Sequence, residues 1–190
     1  QVGFCISGFR PKSFKSKEPK VGDKLILTKP IGTGVILAAH MRKKINTEEY
    51  KNTIETMLNS NLNAANIIRK ENITAITDVT GFGLARHTLN LTKPFGANLS
   101  IKDIPVLSGA LEHLSNNIYS SLAFSNKKAI NFTSRISKQD HIIFDPQTSG
   151  GLLVSVSKVK ANQVLEKLKK SNHHTSIIGE VIEKHEIILN

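Results

Sequence analysis

The chain has 190 residues, of which 39% are hydrophobic, and 26 Lys and Arg against 15 Asp and Glu give a formal net charge of +11. This apolar content excludes a disordered chain, and no apolar stretch reaches the length of a membrane-spanning helix. Cys5 has no second cysteine with which to form a disulfide. We therefore expect a globular cytoplasmic protein with no membrane contact. Because Gln1 rather than Met opens the sequence, we also expect it to be part of a longer protein.

The first half of the chain predicts alternating strands and helices after a polar segment. Residues 1–20 are basic and contain Pro11 and Pro19, which predicts a linker or tail before a domain over residues 21–190. Hydrophobic periodicity and turn residues then predict, in order, a strand over 24–29, a helix over 35–44, a helix over 47–70 with Thr47 as its N-cap, a strand over 73–77 and a helix over 84–91.

The second half of the chain continues this alternation. The predicted elements are a strand over 97–101, a helix over 108–114 capped by Ser108, strands over 141–144 and 152–156, a helix whose apolar face contains Ala161, Val164, Leu165 and Leu168, and closing strands over 176–182 and 186–189. The pattern predicts one α/β (α+β) layered sandwich, in which helices cover a mixed β-sheet. We expect the closing strands to form a hairpin, which would make part of the sheet antiparallel.

The segment TDVTGFGL, from Thr77 to Leu84, carries the strongest signal for a binding site. A predicted strand ends before Asp78, a loop with two glycines follows, and a helix then begins. Open α/β sheets bind ligands beyond the carboxyl ends of their strands, and glycine N–H groups at a helix N-terminus favour an anion. Since Asp78 would repel a bare phosphate, the pattern favours a Mg²⁺ ion between the carboxylate and the phosphate. The alternative is that Asp78 caps the turn and the glycines only permit the bend.

Two further loops have compositions suited to a polar pocket. Residues 145–151 combine a carboxylate, an amide, two hydroxyls and two glycines before an apolar strand. An Asx-turn that leads into a buried strand explains this loop more simply. Residues 29–34 place Gly-Thr-Gly between a predicted strand and a predicted helix, as phosphate-binding loops do, but they lack the spacing of a P-loop.

The charge and the histidines carry less information. Basic residues concentrate in residues 10–29 and 158–170. A solvated surface explains them better than nucleic-acid binding, because no aromatic residues interleave with the lysines to stack on bases. The seven histidines form no zinc-binding pattern. His87 either faces the site of the glycine loop or is a structural histidine, and Cys5 is expected to be an ordinary free thiol.

Three segments, taken together and in this order, resemble the C-terminal half of the selenophosphate synthetase (selenide, water dikinase) family. They are LTKPIGTG at 27–34, TDVTGFGL at 77–84 and FDPQTSGGLL at 144–153. The resemblance runs from about Val21 to the C-terminus. The wider superfamily includes aminoimidazole ribonucleotide synthetase and the hydrogenase-maturation dehydratase. Phe82 between two glycines and the run Asp-Pro-Gln-Thr-Ser-Gly-Gly are more similar to the selenium enzyme.

The resemblance implies an enzyme that makes selenophosphate from selenide, ATP and water and releases AMP and phosphate. It also implies a partly ferredoxin-like sandwich and a homodimer. A missing N-terminal domain would carry most of the nucleotide site, the reactive Cys or selenocysteine, an essential Lys and an Asp cluster for Mg²⁺. On this chain the resemblance implies Asp78 as a Mg²⁺ ligand and Thr80, Gly81 and Gly83 as ATP contacts, with no catalytic residue.

The chain departs from the family pattern at Arg86, where Gly usually precedes the helix histidine, and the neighbours of Cys5 do not match the family nucleophile. We expect the isolated chain to have no dikinase activity. Two alternatives stay open. One is another ATP-dependent member of the superfamily, acting on a carbamoyl, amide or thiamine-type substrate. The other is a non-catalytic basic domain that binds RNA or a protein partner.

Overall fold

The computed structural model describes residues 5, 7, 18–73, 75–130, 132 and 136–190. The strands are β1 (Lys24–Leu27), β2 (Ile76–Asp78), β3 (Gly96–Leu99), β4 (Leu152–Val156), β5 (Ser176–Ile182) and β6 (Ile187–Leu189). The helices are α1 (Thr33–Met41), α2 (Thr47–Leu58), α3 (Leu62–Lys70), α4 (Gly83–Thr92), α5 (Ala110–Ser115), α6 (Ala123–Ala129) and α7 (Lys158–Lys169). Two 3₁₀ helices cover Ile101–Asp103 and Gln139–Phe144. Most of the predicted linker over 1–20 lies outside the described residues, as does position 74 of the predicted strand over 73–77.

The six strands form one mixed sheet in the order β2-β4-β1-β5-β3-β6. All neighbouring pairs are antiparallel except β3 and β6, which are parallel. The prediction of a mixed sheet is therefore confirmed, but the predicted closing hairpin is wrong because β3 lies between β5 and β6. The turn after β5 passes closely over Gly96, where a Cβ atom would collide with the carbonyl groups of Lys184 and Glu186. The missing side chain lets the chain cross the end of β3.

The predicted helical cover of the sheet is confirmed, and helices lie on both of its faces. Along β1, Leu25 and Leu27 belong to one apolar cluster and Ile26 belongs to another, as the alternation of a strand requires. The first cluster packs α1, α4 and α5 against the sheet, and the second packs α3 and α7. In α7, Val164 and Leu168 are fully buried, which confirms the predicted apolar face.

The predicted helix over 47–70 is two helices separated by residues 59–61. Asn59 has an extended backbone, and the Ser60 hydroxyl accepts the N–H of Leu62 at 3.2 Å. Such side chains compete with the helix for backbone groups and so favour a break. The cap of α2 is Asn46 rather than Thr47, and its side chain accepts the N–H of Glu49 at 2.8 Å.

The predicted strand over 141–144 is wrong, because these residues lie in a 3₁₀ helix. Ile142, Ile143 and Phe144 are all buried, since α4, α5 and α6 pack around them. A short apolar run enclosed in this way cannot be assigned to strand or helix from its periodicity. Helix α6 was not predicted, and α5 is capped by Gly109 rather than Ser108. Within the described part of the chain, no helix combines the length and apolarity that crossing a membrane requires.

Candidate functional site

The three loops singled out in the sequence meet at one end of the sheet. A pocket of about 600 Å³ is bordered by Gly34 from the first loop, Gly81 from the second and residues 146–148 from the third. The segments are far apart in the sequence, so the fold brings them together. Their shared location supports the interpretation that they belong to a single site.

Gln147 is the polar centre of this arrangement and is itself buried. Its Oε1 accepts the N–H groups of Gly32 and Thr33 at 2.9 and 3.2 Å. Its Nε2 donates to the carbonyl and to Oδ2 of Asp145, at 2.8 and 3.0 Å. Its backbone N–H donates to the carbonyl oxygen of Thr80 at 3.1 Å. One residue therefore joins all three loops.

Asp145 is fully buried at the N-terminus of α1, where Oδ2 accepts the N–H of Gly34 at 2.9 Å. Burial raises the pKa of Asp145 to about 7, although hydrogen bonds from the backbone of Val35, the side chain of Gln147 and the backbone of Gly34 oppose the rise. A Cβ atom at position 34 would lie 2.6 Å from Oδ1 of Asp145, so this approach requires glycine. The helix N-terminus is thus occupied by a carboxylate of the protein.

The Gly-Thr-Gly loop is consequently not free to cradle a phosphate. The N–H groups of Gly32, Thr33 and Gly34 all donate to Gln147 or Asp145. Like a phosphate-binding loop, this loop has several backbone N–H groups that need acceptors. Here the loop over 145–151 supplies those acceptors.

The loop between β2 and α4, which we call the Thr80 loop (residues 79–82), is fixed by three other elements. The backbone N–H of Thr80 donates to Nε2 of His87 at 3.1 Å, so His87 lies at the site and serves a structural purpose there. The carbonyl of Thr80 accepts from Gln147. Nδ2 of Asn126, on α6, donates to the carbonyl of Gly81 at 2.9 Å.

Nε2 of His87 accepts the hydrogen bond from Thr80 and therefore carries no proton. Burial lowers the pKa of His87; the nearby Asp78 carboxylate opposes the shift and Arg86 adds to it. The Arg86 guanidinium lies over the ring of Phe82, 5.1 Å from its centroid. The residue that departs from the family pattern therefore packs on the outside of the Thr80 loop.

The two glycines of the TDVTGFGL segment differ in their surroundings. Gly83 has a φ of 76°, and a Cβ atom there would lie 2.8 Å from the backbone of Phe144. Its N–H already donates to the carbonyl of Thr80 at 3.0 Å. Gly81 is exposed, and a Cβ atom there would meet open space. Of the three predicted ATP contacts, Gly81 alone has a backbone N–H without a partner among the described residues.

Asp78 is the last residue of the edge strand β2, paired with Leu152, and its side chain is exposed. Within the described ranges its carboxylate makes no hydrogen bond and no ion pair. The carboxylate and the Thr80 hydroxyl are hard oxygen donors of the kind that Mg²⁺ prefers. No three His, Cys, Asp or Glu residues of the described part cluster closely enough to hold a metal ion. The Asp78 carboxylate has the chemistry of a Mg²⁺ ligand, and a Mg²⁺ ion bound to it would need its other ligands from outside the described residues.

Other residues singled out in the sequence lie apart from this site or serve packing. Lys29 is buried, its Nζ donates to the carbonyl of Ser149 at 3.0 Å, and burial lowers its pKa. Cys5 is exposed and free.

Two features of the site were not predicted from the sequence. The role of Asn126 was not predicted, because α6 itself was not predicted. The burial of Asp145 was also missed, although the adjacent Pro146 and the apolar residues 142–144 before it were available signals.

Comparison with known protein families gives the class to which this chain belongs. The family described as AIR synthase related protein, C-terminal domain, matches residues 20–190, and the chain belongs to it. Curated relatives named selenide, water dikinase align with nearly the whole chain. The relative from Treponema denticola is 36% identical over 203 residues, covering 100% of this chain and 57% of the relative. The relative from Caldanaerobacter subterraneus subsp. tengcongensis is 38% identical over 195 residues, covering 98% and 57%.

These relatives confirm the resemblance to the selenide, water dikinase family. The chain spans a little over half the length of the curated relatives it matches. More than two fifths of each of these two relatives therefore lies outside the match.

Solved structures share the fold at low sequence identity. A thiamine-monophosphate kinase from Stenotrophomonas maltophilia K279a has a TM-score of 0.63 at 14% identity, covering 91% of this chain and 51% of that one. The E. coli hydrogenase maturation protein HypE has a TM-score of 0.59 at 16% identity, covering 94% and 50%. A HypE structure in complex with ATP has a TM-score of 0.53 at 12% identity, covering 90% and 48%. At these identities the structures confirm the α/β fold alone.

Proposed function

We propose that this chain is the part of a selenide, water dikinase that completes the metal and nucleotide site of a partner domain. The enzyme would make selenophosphate from selenide, ATP and water and release AMP and phosphate. The relatives' names support the reaction, and the ATP complex of a protein with the same fold supports the nucleotide. The partner domain would correspond to the part of the relatives that this chain does not span.

The observation that carries the proposal is the exposed Asp78 carboxylate beside a loop with three separate attachments. His87, Gln147 and Asn126 hold the Thr80 loop from α4, from the loop over 145–151 and from α6. A loop fixed in this way presents its groups without an ordering cost when a ligand binds.

Each residue has a distinct part in this proposal. Asp78 offers carboxylate oxygens to Mg²⁺, and Gly81 offers its free N–H to a phosphate oxygen of ATP. Thr80 and Gly83 shape the loop, and the Thr80 hydroxyl faces His87 at 3.3 Å. Bound Mg²⁺ would let a carboxylate and a polyphosphate share the site and would stabilise charge during phosphoryl transfer.

Product identification with the complete protein tests the reaction. We expect ³¹P NMR of a mixture with selenide, Mg²⁺ and ATP to show selenophosphate, AMP and phosphate, and the 190-residue chain alone to give none of them. Turnover by the chain alone would contradict the need for a partner domain. A phosphorylated carbamoyl, amide or thiamine-type product without selenophosphate would instead favour another member of the superfamily.

The proposed assembly is a homodimer in the cytoplasm, as the sequence resemblance implies. Size-exclusion chromatography with light scattering on the complete protein tests the dimer, and a monomeric enzyme with full activity would contradict it. Salt-sensitive RNA binding by the chain, unaffected by Mg²⁺ and ATP, would favour the non-catalytic alternative.

A further inference from the structure

A groove runs beside the Thr80 loop along the whole length of α1. Gly34, Leu37, Ala38 and Met41 recur at i, i+3, i+4 and i+7, so they form one face of this helix and one wall of the groove. The opposite wall is the irregular segment over 117–124, which ends in the first turn of α6. This groove is the pocket of about 600 Å³ described above, including its end at Gly81 and residues 146–148. We call it the α1 groove.

The α1 groove is rich in large apolar side chains that remain in contact with solvent. Met41, Leu122 and Phe124 are 78%, 52% and 54% exposed, and all three line it. The rings of Tyr119 and Phe124 lie 5.1 Å apart on the same wall. Exposed apolar residues gathered around one concave surface, with methionine and aromatic side chains, are typical of protein interaction sites.

The polar groups at the groove indicate the charge of its occupant. Arg42 lies at the end of α1 and lines the groove without an ion pair to any described residue. The chain as a whole carries a net charge of +11. A partner segment with apolar side chains and at least one carboxylate is therefore complementary to the groove. The face of α1 spans about 10 Å, the rise of seven helical residues, which suits a short helix or a few extended residues.

The location of the groove connects it with the proposed nucleotide site. Its end at Gly81 belongs to the loop that carries the free N–H, and Gln147 lies at the junction. A protein segment seated in the groove would therefore lie next to a phosphate bound at Gly81. The part of the relatives outside the match is large enough to be a domain of its own.

We propose that the α1 groove is the surface on which an apolar, acidic segment of the nucleotide-binding partner domain docks. This inference rests on the proposed function, because it assigns the partner domain of that function to a specific surface. Docking there places the partner domain's nucleotide contacts against Gly81.

Site-specific photo-crosslinking in the protein expressed from its complete reading frame tests this surface. Benzoylphenylalanine replaces Met41 or Leu122, and Val159 serves as the matched control because it is 94% exposed on α7. We expect crosslinks from positions 41 and 122 to peptides outside residues 1–190 of the same polypeptide, in at least about tenfold higher yield than from position 159. Equal yields at the three positions, or crosslinks only to residues 1–190 of a second copy, would overturn the groove assignment.

Charge substitutions provide a second measurement. We expect Met41→Asp and Leu122→Asp to lower kcat/KM of the complete protein about tenfold, since each removes one central apolar contact and adds a charge that disfavours an acidic partner. The melting temperature of the 190-residue chain should stay unchanged, because both side chains are exposed in it. Val159→Asp should change neither quantity. Unchanged kcat/KM in both groove variants would overturn the inference.

The two proposals fail in different ways. A complete reading frame without a further domain, or a complete protein that makes no selenophosphate, would overturn the proposed function. A selenophosphate-forming protein whose crosslinks avoid positions 41 and 122 would leave that function intact and overturn only the docking surface.

Discussion

Gly81 and Gly83 lie two residues apart, but Gly83 has a structural role and Gly81 is a candidate binding residue. Gly83 has a left-handed backbone and lies against the backbone of Phe144, so the turn into α4 depends on the absence of its side chain. Gly81 has neither constraint, and its N–H has no partner in the part of the chain that the structure describes. The sequence shows both as glycine, so only the structure separates their roles.

Alanine at these two positions should therefore change the stability to very different extents. We expect Gly83→Ala to lower the free energy of unfolding by about 2–4 kcal/mol, from the unfavourable φ and the contact with Phe144. Gly81→Ala should change it by about 0.5 kcal/mol or less. Urea denaturation of the 190-residue chain measures both, and equal losses of stability would contradict the distinction.

Asp145 is the residue whose ionisation bears most directly on stability. Its folded pKa is about 7, above the ordinary value, because burial disfavours the charged form. The folded state therefore binds the proton more tightly than the unfolded state between about pH 4 and pH 7. Its contribution to stability is complete below the unfolded pKa and is lost as the pH rises through 7.

Asp145→Asn should remove this pH dependence. The Asn Oδ1 can still accept from Gly34 and Gln147, so we expect the fold to be retained. Between pH 5 and pH 8 the wild-type chain should lose up to about 2–3 kcal/mol more unfolding free energy than the variant. Urea denaturation at the two pH values measures this difference. Parallel pH profiles for the two proteins would show that Asp145 does not titrate in this range.

At the scale of elements, the loop over 145–151 holds the N-terminus of α1 and the Thr80 loop together. Gln147 satisfies buried N–H groups that would otherwise lose their partners. A buried donor left without an acceptor costs about 1–3 kcal/mol. We therefore expect Gln147 to stabilise the fold mainly through its Oε1 acceptor. The loop thus gives the site its rigidity.

Gln147→Ala should lower the free energy of unfolding by about 2–4 kcal/mol, since it leaves Gly32 and Thr33 without their acceptor. Gln139→Ala is the matched control, because Gln139 is exposed and, among the described residues, its side chain bonds to the Ser115 hydroxyl alone. Thermal denaturation of the two variants gives the comparison. A loss at position 147 no larger than at position 139 would refute the proposed role of Gln147.

At the scale of the whole molecule, the sequence predicted the mixed sheet, its helical cover and the three loops, because strand alternation and glycine loops depend on local residue types. It did not predict that β3 separates β5 from β6, since that arrangement depends on contact between Gly96 and a turn some 90 residues later. It also did not predict the burial of Asp145 or the contact of Asn126 with Gly81. Both arise from packing between distant segments, which local periodicity in the sequence does not reveal.

The central claim is that Asp78 contributes a metal ligand to a site completed by another domain. The most direct measurement is the Mg²⁺ dependence of selenophosphate formation by the complete protein, for wild type and for Asp78→Asn. We expect the variant to lose about 100-fold or more in kcat and to need more Mg²⁺ for half-maximal rate, with an unchanged melting temperature because Asp78 is exposed. Wild-type turnover with an unchanged Mg²⁺ requirement would contradict the claim.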